Sequence, residues 1–226
     1  MSISSAIQTQ VLTQALPYMQ RYRDKIVVVN YSAGAVEVGE VMDAFVSDVV
    51  LLTAIGVKVV LVHGECTQMA GMLELFTAVN KAGGRGMTLC GVEKTAIEDV
   101  LGLKYIPIVA ALDFDERGNA VKIGADMAAA RISWELKAEN LIAITKARGI
   151  LRDQSDEGSL ISQLAVSDVP YLTKQGIIGG GMAEKVDACV EAIRRGVKKA
   201  CIIDGRIKHS ILIEMFSDEG IGTLLV

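Results

Sequence analysis

Val27-Val28-Val29-Asn30-Tyr31-Ser32-Ala33-Gly34 is an apolar run that ends in a turn of small residues. Val59-Val60-Leu61-Val62-His63-Gly64-Glu65-Cys66 repeats the arrangement. Between the two, residues 38–55 place Val41, Phe45, Val49, Leu52 and Ile55 at helical spacing, and Gly56 is suited to end the helix. Strand, helix and strand in that order make a βαβ unit, whose crossover is expected to be right-handed. A loop that cradles phosphate needs bare backbone N–H groups and a cation at the strand end. Here Asn30 stands where a lysine would serve, and Glu65 where a glycine would.

Outward from this unit, residues 5–24 read as a helix. Leu12, Ala15, Leu16 and Met19 fall on one face, and Pro17 is expected to bend or break the run. Such a helix suits an arm packed on another subunit, and equally a surface helix capping its own domain. After the second strand, residues 67–80 read as helix, 81–91 as a glycine-bearing stretch with a short strand, and 93–101 as a short helix. A strand over 105–112 leads to a polar hairpin turn over 113–119. The remainder reads as helix 125–136, strand 141–145, helix 164–174, a glycine-rich lead at 176–181, helix 182–195, strand 199–203, helix 208–216 and a last strand 222–226. This alternation predicts an α/β fold, a three-layer αβα sandwich around a mainly parallel sheet.

Composition agrees. Of the 226 residues, 51% are hydrophobic but only 4% aromatic, so the core is built from Val, Ile, Leu, Ala and Met, as in parallel sheets buried on both faces. A formal net charge of −4 argues against whole-protein attraction to nucleic acid or to an anionic membrane. Cys66, Cys90, Cys189 and Cys201 are widely spaced with no CxxC pair, which predicts reduced, buried thiols in a reducing compartment and no metal centre. No apolar run is long enough to span a bilayer, and the N-terminus has no signal-like apolar segment.

Several longer stretches resemble the amino-acid kinase superfamily, in particular the arginine-sensitive N-acetylglutamate kinases of plants and cyanobacteria. Residues 14–23 (QALPYMQRYR) resemble that family's N-terminal helix, which interlaces dimers into a hexameric ring. Residues 177–186 (IIGGGMAEKV) resemble its nucleotide segment, and residues 202–210 (IIDGRIKHS) and 217–223 (SDEGIGT) its C-terminal signature. The resemblance implies an N-terminal interaction helix over 1–25, a shortened acyl-substrate lobe over 26–120 and a nucleotide-lobe-like region over 121–226. It implies Lys185 and Asp126 as catalytic matches, and Gly179, Gly180, Gly181, Met182, Lys185 and Thr145 as nucleotide contacts. It implies Tyr18, His209, Glu219 and Gly220 as contacts for an arginine effector; no cofactor is fixed by the residues, and ATP with magnesium is the one an active member of the family would take. The cytoplasm or the plastid stroma is the compartment that follows.

The departures are specific. The family's first strand ends in a lysine followed by two glycines, where this chain has Asn30, Ser32 and Ala33. Its second loop is HGGGP, here His63-Gly64-Glu65-Cys66-Thr67. The substrate hairpin, a carboxylate-holding arginine and a long dimer-interface helix have no counterpart before Gly83-Gly84, and a further hairpin is missing between Gly91 and Tyr105. An aspartate of the family is replaced by Lys146, which could fill the adenosine cleft or pair with a phosphate.

Phosphoryl transfer to a carboxylate rests on positioning and charge neutralisation. Removing a cation aimed at the developing charge costs roughly 10²–10⁴ in rate, and a carboxylate at Glu65 repels phosphoryl oxygens. The expectation is therefore a non-catalytic, pseudo-kinase-like subunit of a homo- or hetero-oligomer. Its partner would be a true acetylglutamate kinase, a PII-like signalling protein or another complex. The alternatives are an active acetylglutamate kinase and an arginine- or nucleotide-sensing module. Gly179–Gly181 reads either as an anion site or as a tight turn with no ligand. His209 reads either as an effector contact or as a half-buried helix residue making one hydrogen bond.

Overall fold

The computed structural model of the chain describes residues 4–31, 35–36, 39–64, 86–90, 93–114 and 120–226. Among them, an eight-stranded sheet has the order β3-β4-β2-β1-β7-β9-β10-β8. Its strands are β1 (Ile26–Tyr31), β2 (Lys58–His63), β3 (Gly86–Cys90), β4 (Ile106–Ala110), β7 (Asn140–Thr145), β8 (Gln163–Leu164), β9 (Lys199–Asp204) and β10 (Thr223–Leu225). All pairings are parallel except β10 with β9. β5 (Leu112–Phe114) and β6 (Ala120–Lys122) form a separate antiparallel pair.

The helices are α1 (Ser5–Tyr22), α2 (Glu40–Ala54), α3 (Lys94–Gly102), α4 (Ala125–Glu135), α5 (Val169–Lys174), α6 (Gly180–Arg194) and α7 (Ser210–Phe216). Side chains alternate across the sheet, so each face buries its own core. Val28, Val60, Leu141 and Ile202 face Ile132 of α4 and Val186 of α6. Val27, Val29, Leu61, Ile142 and Ile203 face Phe45 and Val49 of α2 and Ile211 of α7. Ala128, Ala129 and Ala130 of α4 and Ala188 and Ala192 of α6 keep the first layer thin. The three-layer sandwich expected from the sequence is the observed one.

Local differences have local causes. α1 runs unbroken through Pro17. Its start is capped by Ser4, whose Oγ accepts from the Ile7 N–H at 3.4 Å, and its end packs Tyr22 into the core. The stretch 164–174 is not one helix. Leu164 is taken by β8, residues 166–168 make a 3₁₀ turn, and α5 starts only at Val169, with Pro170 in its first turn. α6 begins at Gly180, so two glycines expected ahead of the helix lie inside it. His209 precedes α7 instead of belonging to it. The helix expected over 67–80, and Ser32, Ala33, Glu65 and Cys66, lie outside the described residues. Cys189 and Cys201 are free and buried, as expected. Burial pushes the Cys189 thiol up to about 12.

Gly205, just after β9, is a position where only hydrogen fits. A Cβ there would lie 2.6 Å from the Ala35 carbonyl oxygen and 2.5 Å from Ile144 Cγ2. Gly102, at the end of α3, has nothing within 4 Å of such an atom. Urea unfolding is therefore expected to show Gly205→Ala destabilised by about 2 kcal/mol or more. Gly102→Ala should be neutral or gain up to about 1 kcal/mol.

Candidate active site

Because β1, β2, β4, β7 and β9 are parallel, their C-terminal ends form one edge that carries Tyr31, His63, Ala110, Thr145 and Asp204. Crevices at such an edge are where α/β sheets bind ligands. The ring of His63 stacks on Tyr31 with centroids 5.2 Å apart. Gly64 follows β2, and a Cβ there would touch Ala125 Cβ at 3.4 Å, so the start of α4 sits against the end of β2.

This places Asp126, the second residue of α4, beside Asn30, the fifth residue of β1. Asn30 Nδ2 donates to Asp126 Oδ1 at 2.5 Å. Lys185 Nζ, reaching over from α6, donates to the same oxygen at 2.5 Å. Asn30 is 1% exposed, and the Lys185 side chain 7%. The Asp126 carboxylate lies at a helix N-terminus, where the backbone dipole favours negative charge. One carboxylate oxygen thus ties β1, α4 and α6 together. Asn30 Oδ1 is buried and accepts from no donor among the described residues.

The glycine segment borders the same layer. Gly179 caps α6 without a side-chain hydrogen bond, and the first turn holds no acidic residue. Gly180 has φ +54°, which favours glycine. An added Cβ at Gly179, Gly180 or Gly181 would meet nothing within 4 Å. Among the described residues packing therefore does not require these glycines, and no side chain caps the N-terminal amides of α6. That is the physical make-up of an anion site. Met182 packs half-buried against the core, and the Thr145 carbonyl accepts from Gly205 N at 2.8 Å. Lys146 is exposed on the turn after β7.

The four residues expected around an arginine effector are only partly brought together. Glu219 and Gly220 line a cleft of about 490 Å³ with Tyr22, Asn140, Cys201 and Glu214. There Glu214 Oε2 accepts from the amides of Ile221 (2.9 Å) and Gly222 (3.3 Å), while Asn140 Oδ1 is buried with no donor among the described residues. Tyr18 lines a neighbouring cleft between α1 and α7, and its hydroxyl donates to Asp218 at 2.6 Å. That hydrogen bond raises the phenol above its ordinary range. Asp218 borders both clefts. His209 is engaged elsewhere. It sits in the left-handed region (φ +59°), with Nδ1 2.6 Å from Asp48 Oδ1. Burial raises the Asp48 carboxyl, while His209 and the amides that open α7 pull the other way. Asp48 was not picked out from the sequence, although a carboxylate between Phe45, Val49 and Leu52 on the apolar face of a helix was the available signal.

Known proteins resemble this chain in sequence and in fold. The sequence profile described as the amino acid kinase family matches residues 85–204. An acetylglutamate kinase from Brachyspira hyodysenteriae is 37% identical over 282 residues, covering 99% of this chain and 98% of that protein. The chain belongs to the amino acid kinase family. A second acetylglutamate kinase, from Clostridium beijerinckii, is 36% identical over 96% of this chain and 98% of its own length. The first alignment runs over 282 residues although this chain has 226, so the shared sequence is interrupted by stretches that this chain lacks. Among solved structures, an N-acetylglutamate synthase from Neisseria gonorrhoeae in complex with coenzyme A and N-acetylglutamate superposes with a TM-score of 0.82 at 20% identity. That match covers 99% of this chain and 64% of the synthase chain. A carbamate kinase from Giardia lamblia bound to AMP-PNP superposes at 0.69 with 15% identity, covering 89% of this chain and 98% of the kinase. These two likenesses establish the family fold.

At the same edge, Arg206 binds Asp204 through Nε at 2.9 Å and a terminal nitrogen at 2.7 Å. Burial alone would raise the Asp204 carboxyl, but the Arg206 hydrogen bonds and charge hold it below the usual range. A carboxylate with a depressed folded-state pKa stabilises above its unfolded value, and loses that contribution as pH falls through the folded value. Arg206 is half exposed, so Arg206→Ala is expected to lose about 1 kcal/mol or less near pH 7. In urea titrations the gap to the unmodified chain should narrow as pH is lowered past the unfolded carboxylate range, about pH 4.

Proposed function

We propose that this chain is an ATP-dependent kinase of a small carboxylate, with N-acetylglutamate the substrate suggested by the names of its relatives. The observation that carries this reading is the part-buried Lys185–Asp126–Asn30 cluster, at the sheet edge beside the uncapped N-terminus of α6. In this reading Lys185 faces the transferred phosphoryl group, and Asp126 holds the ammonium in place. Asn30 fixes the carboxylate, and the amides at Gly179–Gly181 hold nucleotide phosphates. Thr145 and Met182 border the nucleotide. Magnesium ATP, when bound, supplies the phosphoryl group and neutralises part of its charge.

A neutral amide at Asn30 makes the expected turnover slow. ADP release with magnesium, ATP and high acetylglutamate is expected to fall about 10²-fold or more in Lys185→Ala, and to rise in Asn30→Lys. The same neutrality favours a second reading, in which the chain is a non-catalytic subunit beside a true acetylglutamate kinase or a PII-like protein. Turnover that does not respond to Lys185→Ala would select this second reading.

The cleft holding Glu214, Asp218, Glu219 and the unsatisfied Asn140 carbonyl has the chemistry to take a guanidinium group, which supports arginine as an effector. Arginine is expected to raise the melting temperature, with a smaller shift in Glu219→Gln. Equal shifts in the two proteins would remove Glu219 from the effector site.

A further inference from the structure

We infer that Asn30 Oδ1 and Asp126 Oδ2 form half of a divalent-cation site, at which magnesium brings the positive charge that the neutral Asn30 side chain does not. The inference rests on the kinase reading only in that nucleotide phosphates would complete the coordination.

The orientation of Asn30 is fixed by its own hydrogen bond. Nδ2 is committed to Asp126 Oδ1, and the reverse orientation would set the amide oxygen against a carboxylate. Oδ1 is left buried and without a donor among the described residues. A buried polar atom in that state calls for a missing partner, an ion or a water. The second half of the pair is left in a similar state. Both donors, Asn30 Nδ2 and Lys185 Nζ, land on Oδ1 of Asp126, and among the described residues no donor reaches Oδ2. The Asp126 side chain is 25% exposed, so the carboxylate is not sealed in the core.

The donor set suits one class of ion. An amide carbonyl and a carboxylate are hard oxygen ligands, which select magnesium or manganese over thiolate- and imidazole-seeking metals. Magnesium is characteristically held by one or two protein oxygens, with waters and substrate phosphates filling the remaining positions. Two protein oxygens beside an anion-accepting helix end match that habit. Charge points the same way. The Asp126 carboxylate cancels the Lys185 ammonium, so the three side chains together bring no net positive charge to a polyphosphate. A divalent ion on the two free oxygens would make that sum positive without displacing either hydrogen bond.

Manganese is the probe. Mn²⁺ binding to the full chain is read by water-proton relaxation, first without nucleotide and then with ADP, while ADP binding is followed separately by calorimetry. Binding of Mn²⁺ is expected to weaken about tenfold or more in Asn30→Ala. Circular-dichroism melts confirm that the variant is folded. Mn²⁺ binding that is equal in the unmodified chain and Asn30→Ala overturns the site. So does failure of the unmodified chain to bind Mn²⁺ under either condition. Asn30-dependent Mn²⁺ binding without ADP binding keeps the site and removes the kinase reading. ADP binding with Asn30-independent Mn²⁺ binding removes the site alone.

Discussion

The Lys185–Asp126–Asn30 cluster depends on the placement of β1 between two parallel neighbours. Val27, Val28 and Val29 are completely buried, so both faces of the strand must be covered by helices. Parallel pairing with β2 and β7 forbids tight hairpins, and each return must cross a face of the sheet. All the strand ends that carry chemistry then arrive at one edge. Asn30 reaches Asp126, 96 residues away in sequence, because β1 and the start of α4 meet at that edge.

The shared Asp126 oxygen has two consequences that pull against each other. It locks Lys185 in a buried position, which is good for precise presentation of an ammonium group and poor for the group's reach as a free charge. A neutral amide on the other side completes the lock without adding charge. The site is thus better organised than it is electropositive. A slow kinase and a retired one would share this geometry.

Much of the fold could be read from residue pattern. The alternation of apolar strands with helices at 38–55, 125–136 and 182–195 fixed the layer architecture, because burial of β-rich apolar runs allows few arrangements. Reading was weakest where a residue's neighbours come from distant sequence. Pro17 looked like a breaker because local propensity ignores the packing of Tyr22 against Phe216 and the rest of the second core. Residues 164–174 looked helical because β8 exists only through its pairing with β10. In the site, the closeness of Lys185 and Asp126 entered through likeness to a family, since no periodicity joins positions 59 residues apart. That His209 would meet Asp48 depends on how α2 and α7 pack and was not written in either segment.

The missing side chain at Gly205 also has a mechanical meaning. The backbone after β9 and the backbone around Ala35, 170 positions earlier, interlock with no room for a methyl group between them. The backbone at Ala35 and that at Gly205, on opposite flanks of β7, are thereby geared together. If binding at one displaces its backbone, the other must slide with it, and the Thr145 carbonyl that anchors Gly205 is the pivot. Occupancy at one strand end would then be felt at the next.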